Sequence, residues 1–398
     1  IAELGWTRTM WSSAMAPMIF VTSVCQAVIG AACVRYGVRP VLVGAVLCLG
    51  ACFLVISGMH SLSAFYGATM LLALGNAGIG DVSVGAVITR WFDRSRGVAL
   101  GFALAGSNIG AVVFVYAIDE GTGLFGWRGA TAAVGVVAMA MILPFALFVV
   151  RDPRAGEGES AVEAQSAALE AIACEDTNGR SGTRESEAAA KDDSSTLAES
   201  LRRPAFWILF FTVFCYAVAQ LGMIDHLVLY LVDLGYDRSQ AADALGLTVG
   251  AGILAKLGAG AVALRIPTRK LLVANTALLA FAIALLPFAA DPRLLAIAGF
   301  SFGISTSARD VLIPLSAAEF FGARYFAEIY GVMMLAYFPG GGLGPIVLAR
   351  VRDVTGSYEI GFAICLAILM AALAGQIFAS RQAFGRRAVA PGSGNGGD

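Results

Sequence analysis

Long apolar runs are the feature that most constrains how this chain folds. Eleven such runs follow one another along 398 residues, each close to the roughly 20 residues that a helix needs to cross about 30 Å of hydrocarbon. Only 14% of the residues are charged, against about 25% in an ordinary soluble domain. Because so few charges cannot cover these runs in water, the sequence predicts an all-α polytopic membrane protein.

The predicted spans form two groups separated by a polar segment. Residues 151–203 are rich in Ala, Glu, Ser and Gly and lack aromatic residues, so we predict a disordered linker there. The predicted organisation is a first transmembrane half at 1–150, the linker at 151–203, a second half at 204–380 and a tail at 381–398. The predicted spans cover residues 10–33, 40–58, 62–89, 98–118, 129–150, 205–229, 241–264, 271–290, 294–318, 329–349 and 360–379.

Arginines mark one side of the predicted membrane domain. The connections after the first, third, seventh and ninth spans are rich in basic residues, whereas the opposite connections share theirs with acids. By the positive-inside rule, the arginine-rich side, the linker and the tail are predicted to be cytoplasmic, in a cell membrane and most simply a bacterial inner membrane. The net charge of −1 gives no basic surplus for nucleic acid.

The two halves are predicted to be parallel copies of one unit. A shift of 230 residues, which becomes 234 further along, superposes matching residues: Gly30 on Gly260, Arg35 on Arg265, Arg39 on Arg269, Arg90 on Arg324 and Gly97 on Gly331. The span at 205–229 has no partner in the first copy. We therefore expect one more helix before Ile1, and six plus six spans in the complete protein.

Several strings in the connections resemble one family. GAACVRYGVRP at 30–40 is similar to the loop signature of the major facilitator superfamily, and WFDRSRGVALG at 91–101, FFGARYFAEIYG at 320–331 and PGGGLGP at 339–345 are similar to its monocarboxylate and oxalate-formate branch. The resemblance implies a bundle of two parallel six-helix halves that works by alternating access. It also implies a gating loop, formed by Gly30, Arg35, Gly37 and Arg39, and an equivalent loop in the second half that contains Arg265 and Arg269. The acid that the family carries in this loop is replaced by Val34, so the loop's charge relay is incomplete.

Four charged residues interrupt the predicted spans. Asp81, Lys256, Arg309 and Asp310 lie nine or ten residues from the arginine-rich side, which is about 13 to 15 Å along a helix and close to the midplane. A charge there costs about 2.5 to 3.5 kcal/mol on insertion scales, so each requires a partner or a wet cavity. Adjacent residues project about 100° apart, so Arg309 and Asp310 are predicted to find separate partners. Two interhelical salt bridges, Lys256 with Asp310 and Asp81 with Arg309, are the structural alternative to a ligand site.

The functional hypothesis is a secondary transporter of a small organic anion, by proton symport or anion exchange. Lys256, Arg309 and Asn108 are predicted to bind the anion, and the resemblance supports Lys256, because it occupies the place of an arginine that meets substrate carboxylate in the family. Asp81, Asp310 or the pair Asp225 and His226 are predicted to couple protons, with an interfacial solvated pair as the alternative for the last two.

Other classes of function remain as alternatives. Efflux of a drug or other amphiphile is one, and a nutrient sensor on a transporter scaffold is another. An enzyme is disfavoured, because no nucleophile, base and orienting group recur at a usable spacing. We expect no cofactor and no metal, since seven cysteines and two histidines show no zinc-binding spacing. The expected partners are the anion, a proton or exchanged anion, and the lipid bilayer, with the protein as a monomer.

Overall fold

The computed structural model describes residues 14–151 and 195–388, which are helical without a strand. The predicted all-α class is therefore confirmed. Most of the predicted linker, the last ten residues of the tail and the start of the first predicted span lie outside the described residues.

Thirteen α-helices follow one another in the described residues. They are α1 (Met15–Tyr36), α2 (Val38–Ser57), α3 (Leu62–Ile79), α4 (Asp81–Trp91), α5 (Arg96–Phe148), α6 (Leu197–Leu201), α7 (Pro204–Asp233), α8 (Arg238–Val262), α9 (Thr268–Leu285), α10 (Pro292–Phe321), α11 (Phe326–Met333), α12 (Tyr337–Thr355) and α13 (Glu359–Ala388). Single 3₁₀ turns cover Leu286–Phe288 and Met334–Ala336. The backbone leaves helical geometry inside α5 at Gly126, where φ is 69°, so α5 supplies two spans.

Ten stretches of the described residues are long and apolar enough to cross a membrane. The predicted span at 294–318 is not among them, although it lies within α10, a helix of 30 residues. Arg309 and Asp310 lie in the second half of that helix and lower its apolar character.

Two predicted spans are broken near their centres. The span predicted at 62–89 is divided at Gly80, whose ψ of −164° ends α3 and starts α4. The span predicted at 329–349 contains the 3₁₀ turn between α11 and α12. Broken helices occur at membrane depth where the freed backbone groups line a cavity or are buried in protein. Both breaks bring a polar residue, Asp81 or Tyr337, to the start of a new helix.

The two halves touch most extensively through two helix pairs, α1 with α11 and α5 with α8. Each contact is closest at the arginine-rich end, where a β-carbon on Gly260 would collide with the carbonyl oxygen of Gly97, and one on Gly30 with that of Ala327. Farther from that end, a β-carbon on Gly110 of α5 or Gly246 of α8 would meet no neighbouring atom. The closest contacts between the halves therefore lie toward the arginine-rich end.

Candidate functional site: a charged cavity between the halves

A cavity of about 320 Å³ lies between the two halves at mid-depth. Helices α1, α3, α4, α7, α10, α11 and α12 contribute to its wall, together with the 3₁₀ turn before α12. Met18 and Ile19, near the arginine-poor end of α1, line the cavity, so it extends toward that end. Its polar lining consists of Thr22, Ser23, Gln26, Asn76, Asp81, Gln220, Arg309, Asp310, Tyr330 and Tyr337.

Arg309 presents one face of its guanidinium group to this cavity. Its Nε and Nη2 atoms donate to Oδ1 of Asp310, at 3.2 and 2.6 Å. Its Cζ lies 5.9 Å from the ring centroid of Tyr216 and 5.5 Å from that of Tyr337, within the range of cation–π attraction. The remaining nitrogen, Nη1, is buried and has no hydrogen-bond partner among the described residues. The side chain is thus fixed on three sides, with one donor group free.

A buried polar network holds the aromatic support of Arg309. The Tyr216 hydroxyl accepts a 2.9 Å hydrogen bond from Asn275 Nδ2, which also donates to the carbonyl oxygen of Ser305. Ser305 Oγ in turn donates to the carbonyl oxygen of Asn275 at 2.7 Å. These bonds join α7, α9 and α10, and satisfied buried networks of this kind rigidify a core. Tyr216 therefore acts as a positioning residue behind Arg309.

Lys256 links the two halves from a buried position. Its Nζ donates to Asp310 Oδ2 at 3.2 Å within the second half, and to Ser107 Oγ at 2.9 Å and the Leu104 carbonyl oxygen at 3.3 Å in the first half. An ammonium group has three donors, so all of them are used. Lys256 does not belong to the cavity lining. It binds Asp310 and connects α8 to α5, next to the helix crossing at Gly97 and Gly260 on the side away from the arginine-rich end.

Asp81 supplies the second acid. It is the first residue of α4 and lines the cavity. Among the described residues it has no hydrogen-bonded or ion-paired partner within the usual distances. The charges around the cavity are two cations, Lys256 and Arg309, and two acids, Asp310 and Asp81.

The structure corrects one geometric expectation about these residues. Arg309 and Asp310, predicted to find separate partners, bond to each other. The 100° separation applies to the directions of the β-carbons, whereas the long arginine side chain curls back around the helix. Of the two interhelical pairs weighed as alternatives, Lys256 with Asp310 forms, and Asp81 with Arg309 does not form.

The other predicted site residues lie away from this cavity. Asn108 is outside the lining and donates to the Val249 carbonyl oxygen across the halves, at 3.5 Å. His226 lies between α12 and α13, where its Nε2 donates to the Pro345 carbonyl oxygen at 3.1 Å and its Nδ1 is 3.3 Å from the Tyr358 hydroxyl. Asp225 is exposed and forms no ion pair with it. The pair is thus separate from the charged cavity, and His226, on α7, contacts α12 and the connection that precedes α13.

The predicted gating residues lie at the arginine-rich end. Gly37, with φ of 85°, ends α1 and turns the chain into α2, and Gly30 allows the close contact of α1 with α11 described above. Arg35 lies over the ring of Tyr36, and Arg39 is exposed. Arg265 and Arg269 flank the turn between α8 and α9. These positions are those of a loop that borders the closed contact between the halves.

Several lining residues received no role from the sequence. Ser23 and Gln26 on α1 and Tyr330 on α11 belong to this group, and Tyr216, which lies behind the lining, was likewise given no role. A signal was present for α1, because Thr22, Ser23 and Gln26 share one face of an apolar helix. Tyrosines in apolar helices carry no comparable pattern. No group of His, Cys, Asp and Glu in residues 14–151 and 195–388 has an arrangement that would hold a metal ion.

Comparison with known proteins places this geometry in context. Residues 1–345 match the family model described as Major Facilitator Superfamily. The chain is 25% identical over 341 residues to monocarboxylate transporter 13 of Rattus norvegicus, covering 85% of this chain and 72% of that protein. It is 28% identical over 295 residues to the oxalate:formate antiporter of Oxalobacter formigenes, covering 70% and 62%. Its fold is similar to that of the transporter FucP in a crystal structure of the outward conformation, with a TM-score of 0.67, 15% identity and coverage of 94% and 92%.

Proposed function

Because the chain belongs to the Major Facilitator Superfamily, we propose that it is a secondary transporter that carries a small organic anion by alternating access. The proposed substrate is a monocarboxylate or a small dicarboxylate. The names of the two relatives given above have small carboxylates in common, which supports this class.

The observation that carries the proposal is the free donor group of Arg309. Nη1 has no partner and belongs to a side chain that lines the cavity. A buried cationic donor without an acceptor is costly, and a carboxylate oxygen satisfies it with a charge-assisted hydrogen bond. Tyr216, Tyr337 and Asp310 already fix the guanidinium plane, so a bound anion would meet a preorganised site.

The size of the cavity favours a small substrate. Its volume of about 320 Å³ is at the lower end of the roughly 300 to 1,000 Å³ of ligand pockets. The lining also includes uncharged polar side chains, namely Thr22, Ser23 and Gln26 on α1 and Gln220 on α7. These groups suit hydroxyl or second carboxyl groups of a short acid better than the apolar body of a drug.

The balance of charge around the cavity supports coupling to a proton. Lys256 and Arg309 offset Asp310 and Asp81, so an incoming monoanion would leave the buried cluster with one excess negative charge. Protonation of Asp81 restores neutrality, and Asp81 is the acid that lacks an ion pair in the described structure. We therefore assign proton coupling to Asp81, with Asp310 held by both cations as a fixed part of the site.

We further propose that the arginine-rich end is cytoplasmic in a cell membrane. The described arrangement, closely packed at that end, is then closed toward the cytoplasm.

Direct binding tests the proposal. We expect a panel of acetate, lactate, oxalate and succinate to contain at least one anion that stabilises the purified protein in neutral detergent against heating. Arg309→Gln should abolish that stabilisation, whereas Arg293→Gln, which removes an exposed charge at the start of α10, should retain it. Equal shifts in both variants would show that the anions act elsewhere on the protein.

A further inference from the structure

A second cavity lies away from the central site, at the arginine-rich end between the two halves. Its volume is about 710 Å³. The first half contributes the end of α4, the α4–α5 connection and the start of α5. The second half contributes the α8–α9 connection and the ends of α10. The closed contact between Gly97 and Gly260 separates it from the central cavity.

The charged side chains in the lining of this cavity carry one net positive charge. Arg90, Arg94 and Arg96 belong to it, against two acids, Asp93 and Glu319. Asp93 is already engaged by Arg96, at 3.1 Å. Arg94 is exposed and forms no hydrogen bond or ion pair within the described residues. The cavity therefore holds a net positive charge, in a cleft where fields of one sign are focused.

Two helices begin at its wall, one from each half. Helix α5 starts at Arg96 and α9 at Thr268, and neither has a side chain that caps its first turn. Uncapped N-terminal amide groups, together with the helix dipole, favour an anion at such positions. The two helix starts at this cavity and its arginines all favour a bound anion.

A buried hydroxyl without a partner provides an independent observation. Thr89 lines the cavity and is 3% exposed, and its Oγ1 makes no hydrogen bond within the described part of the chain. Other helical threonines here donate to the carbonyl oxygen four residues earlier, as Thr212 does to Ile208 and Thr276 to Leu272. Buried polar atoms are rarely left unsatisfied in this way. Thr89 Oγ1 is therefore a donor available to a ligand.

We propose that this cavity binds a multivalent oxyanion, with phosphate or carboxylate groups held by Arg94, the Thr89 hydroxyl and the starts of α5 and α9. Its volume exceeds that of a single phosphate group and suits an anion with two or more such groups. The chemistry is shared by a soluble anion and by the headgroup of an anionic lipid.

The position of the site gives it a regulatory consequence. Its walls come from both halves, so an anion bound to Arg94 in the first half and to the start of α9 in the second connects them. Alternating access requires the halves to separate at this end. The bound anion therefore favours the state that is closed at the arginine-rich end, and slows the cycle of the transport activity proposed above.

Binding is tested without reference to transport. The purified full chain in neutral detergent is titrated with pyrophosphate at constant ionic strength, and tryptophan fluorescence is followed, because Trp91 lines the cavity. We expect saturable binding that weakens about tenfold in Arg94→Gln and several-fold in Thr89→Val. Thr89→Val preserves side-chain shape, so its folding should be intact. Arg293→Gln serves as the matched control, because it removes an exposed charge at the start of α10, outside the lining of this cavity.

The outcomes separate the two sources of the anion. If nanodiscs with anionic phosphatidylglycerol suppress pyrophosphate binding relative to neutral phosphatidylcholine, and Arg94→Gln removes that suppression, the natural occupant is a lipid headgroup. If both lipids leave binding unchanged, the occupant is soluble. Identical pyrophosphate affinity in the parent, Arg94→Gln and Thr89→Val would overturn the site. Since the central cavity and Arg309 play no part in this titration, its failure leaves the proposed transport function untouched.

Discussion

The substitution Ser107→Ala tests whether Lys256 fastens the two halves together. Ser107 Oγ is the closest of the three acceptors around Lys256 Nζ, at 2.9 Å, and it comes from the opposite half. A hydrogen bond to a charged group is worth about 1.5 to 3 kcal/mol. Loss of this bond should therefore weaken the closed contact by up to that amount, which corresponds to a shift of about 10- to 150-fold in the equilibrium between states. The observed shift should fall below this limit, because the ammonium group keeps Leu104 and Asp310.

The shift is measurable by electron–electron double resonance. Spin labels at Arg39→Cys and Lys270→Cys, both exposed at the arginine-rich end of different halves, report the separation there in a variant without native cysteines. We expect Ser107→Ala to increase the population with a long distance. Ser316→Ala is the matched control, because the Ser316 hydroxyl bonds only within its own helix, to Leu312. Indistinguishable distance distributions in Ser107→Ala and Ser316→Ala would refute the role of Lys256 as a link between halves.

Three further predictions address the helix crossing, the proton and the orientation. Gly260→Ala should lower the free energy of unfolding by roughly 1 to 3 kcal/mol, because the added methyl group overpacks the contact. Gly258→Ala, in open space on the same helix, should be neutral or stabilising, and equal melting temperatures of the two variants would contradict the close crossing. Asp81→Asn should retain exchange of anions but lose acceleration by an inwardly directed proton gradient, and retained acceleration would assign coupling to another group. Cys174 should react with a membrane-impermeant thiol reagent only in inside-out vesicles, and labelling of intact cells would reverse the proposed orientation.

Much of the fold was accessible from the sequence because hydropathy acts over whole helices. The all-α class and most of the spans follow from apolar runs, since a run of about 20 such residues has few alternatives to crossing the membrane. The breaks at Gly80 and at Met334–Ala336 were not predicted. A single glycine or turn changes mean hydropathy little, and its effect depends on the neighbouring helices that satisfy the freed backbone groups.

The candidate site was accessible only in part. Depth along each helix identified Asp81, Lys256, Arg309 and Asp310 as one layer, and the structure brings them around one region. Depth does not give direction, so the sequence left open which of them faces the cavity. Lys256 is an example. The sequence predicted it as an anion ligand, but in the structure its three donors are used by protein groups and it lies outside the cavity lining. The supporting role of Tyr216 depends on contacts between three helices and has no local signature.

Counterflow in proteoliposomes measures whether the protein carries an anion and whether Arg309 binds it. Vesicles loaded with an unlabelled anion identified by binding are diluted into the same anion carrying a radiolabel, so that a carrier accumulates label without any external energy source, whereas a sensor only binds it. The account predicts transient accumulation for the parent protein and for Arg293→Gln, and its loss in Arg309→Gln at equal protein content. Parental counterflow in Arg309→Gln, with unchanged apparent affinity, would contradict the assignment of this cavity as the anion site.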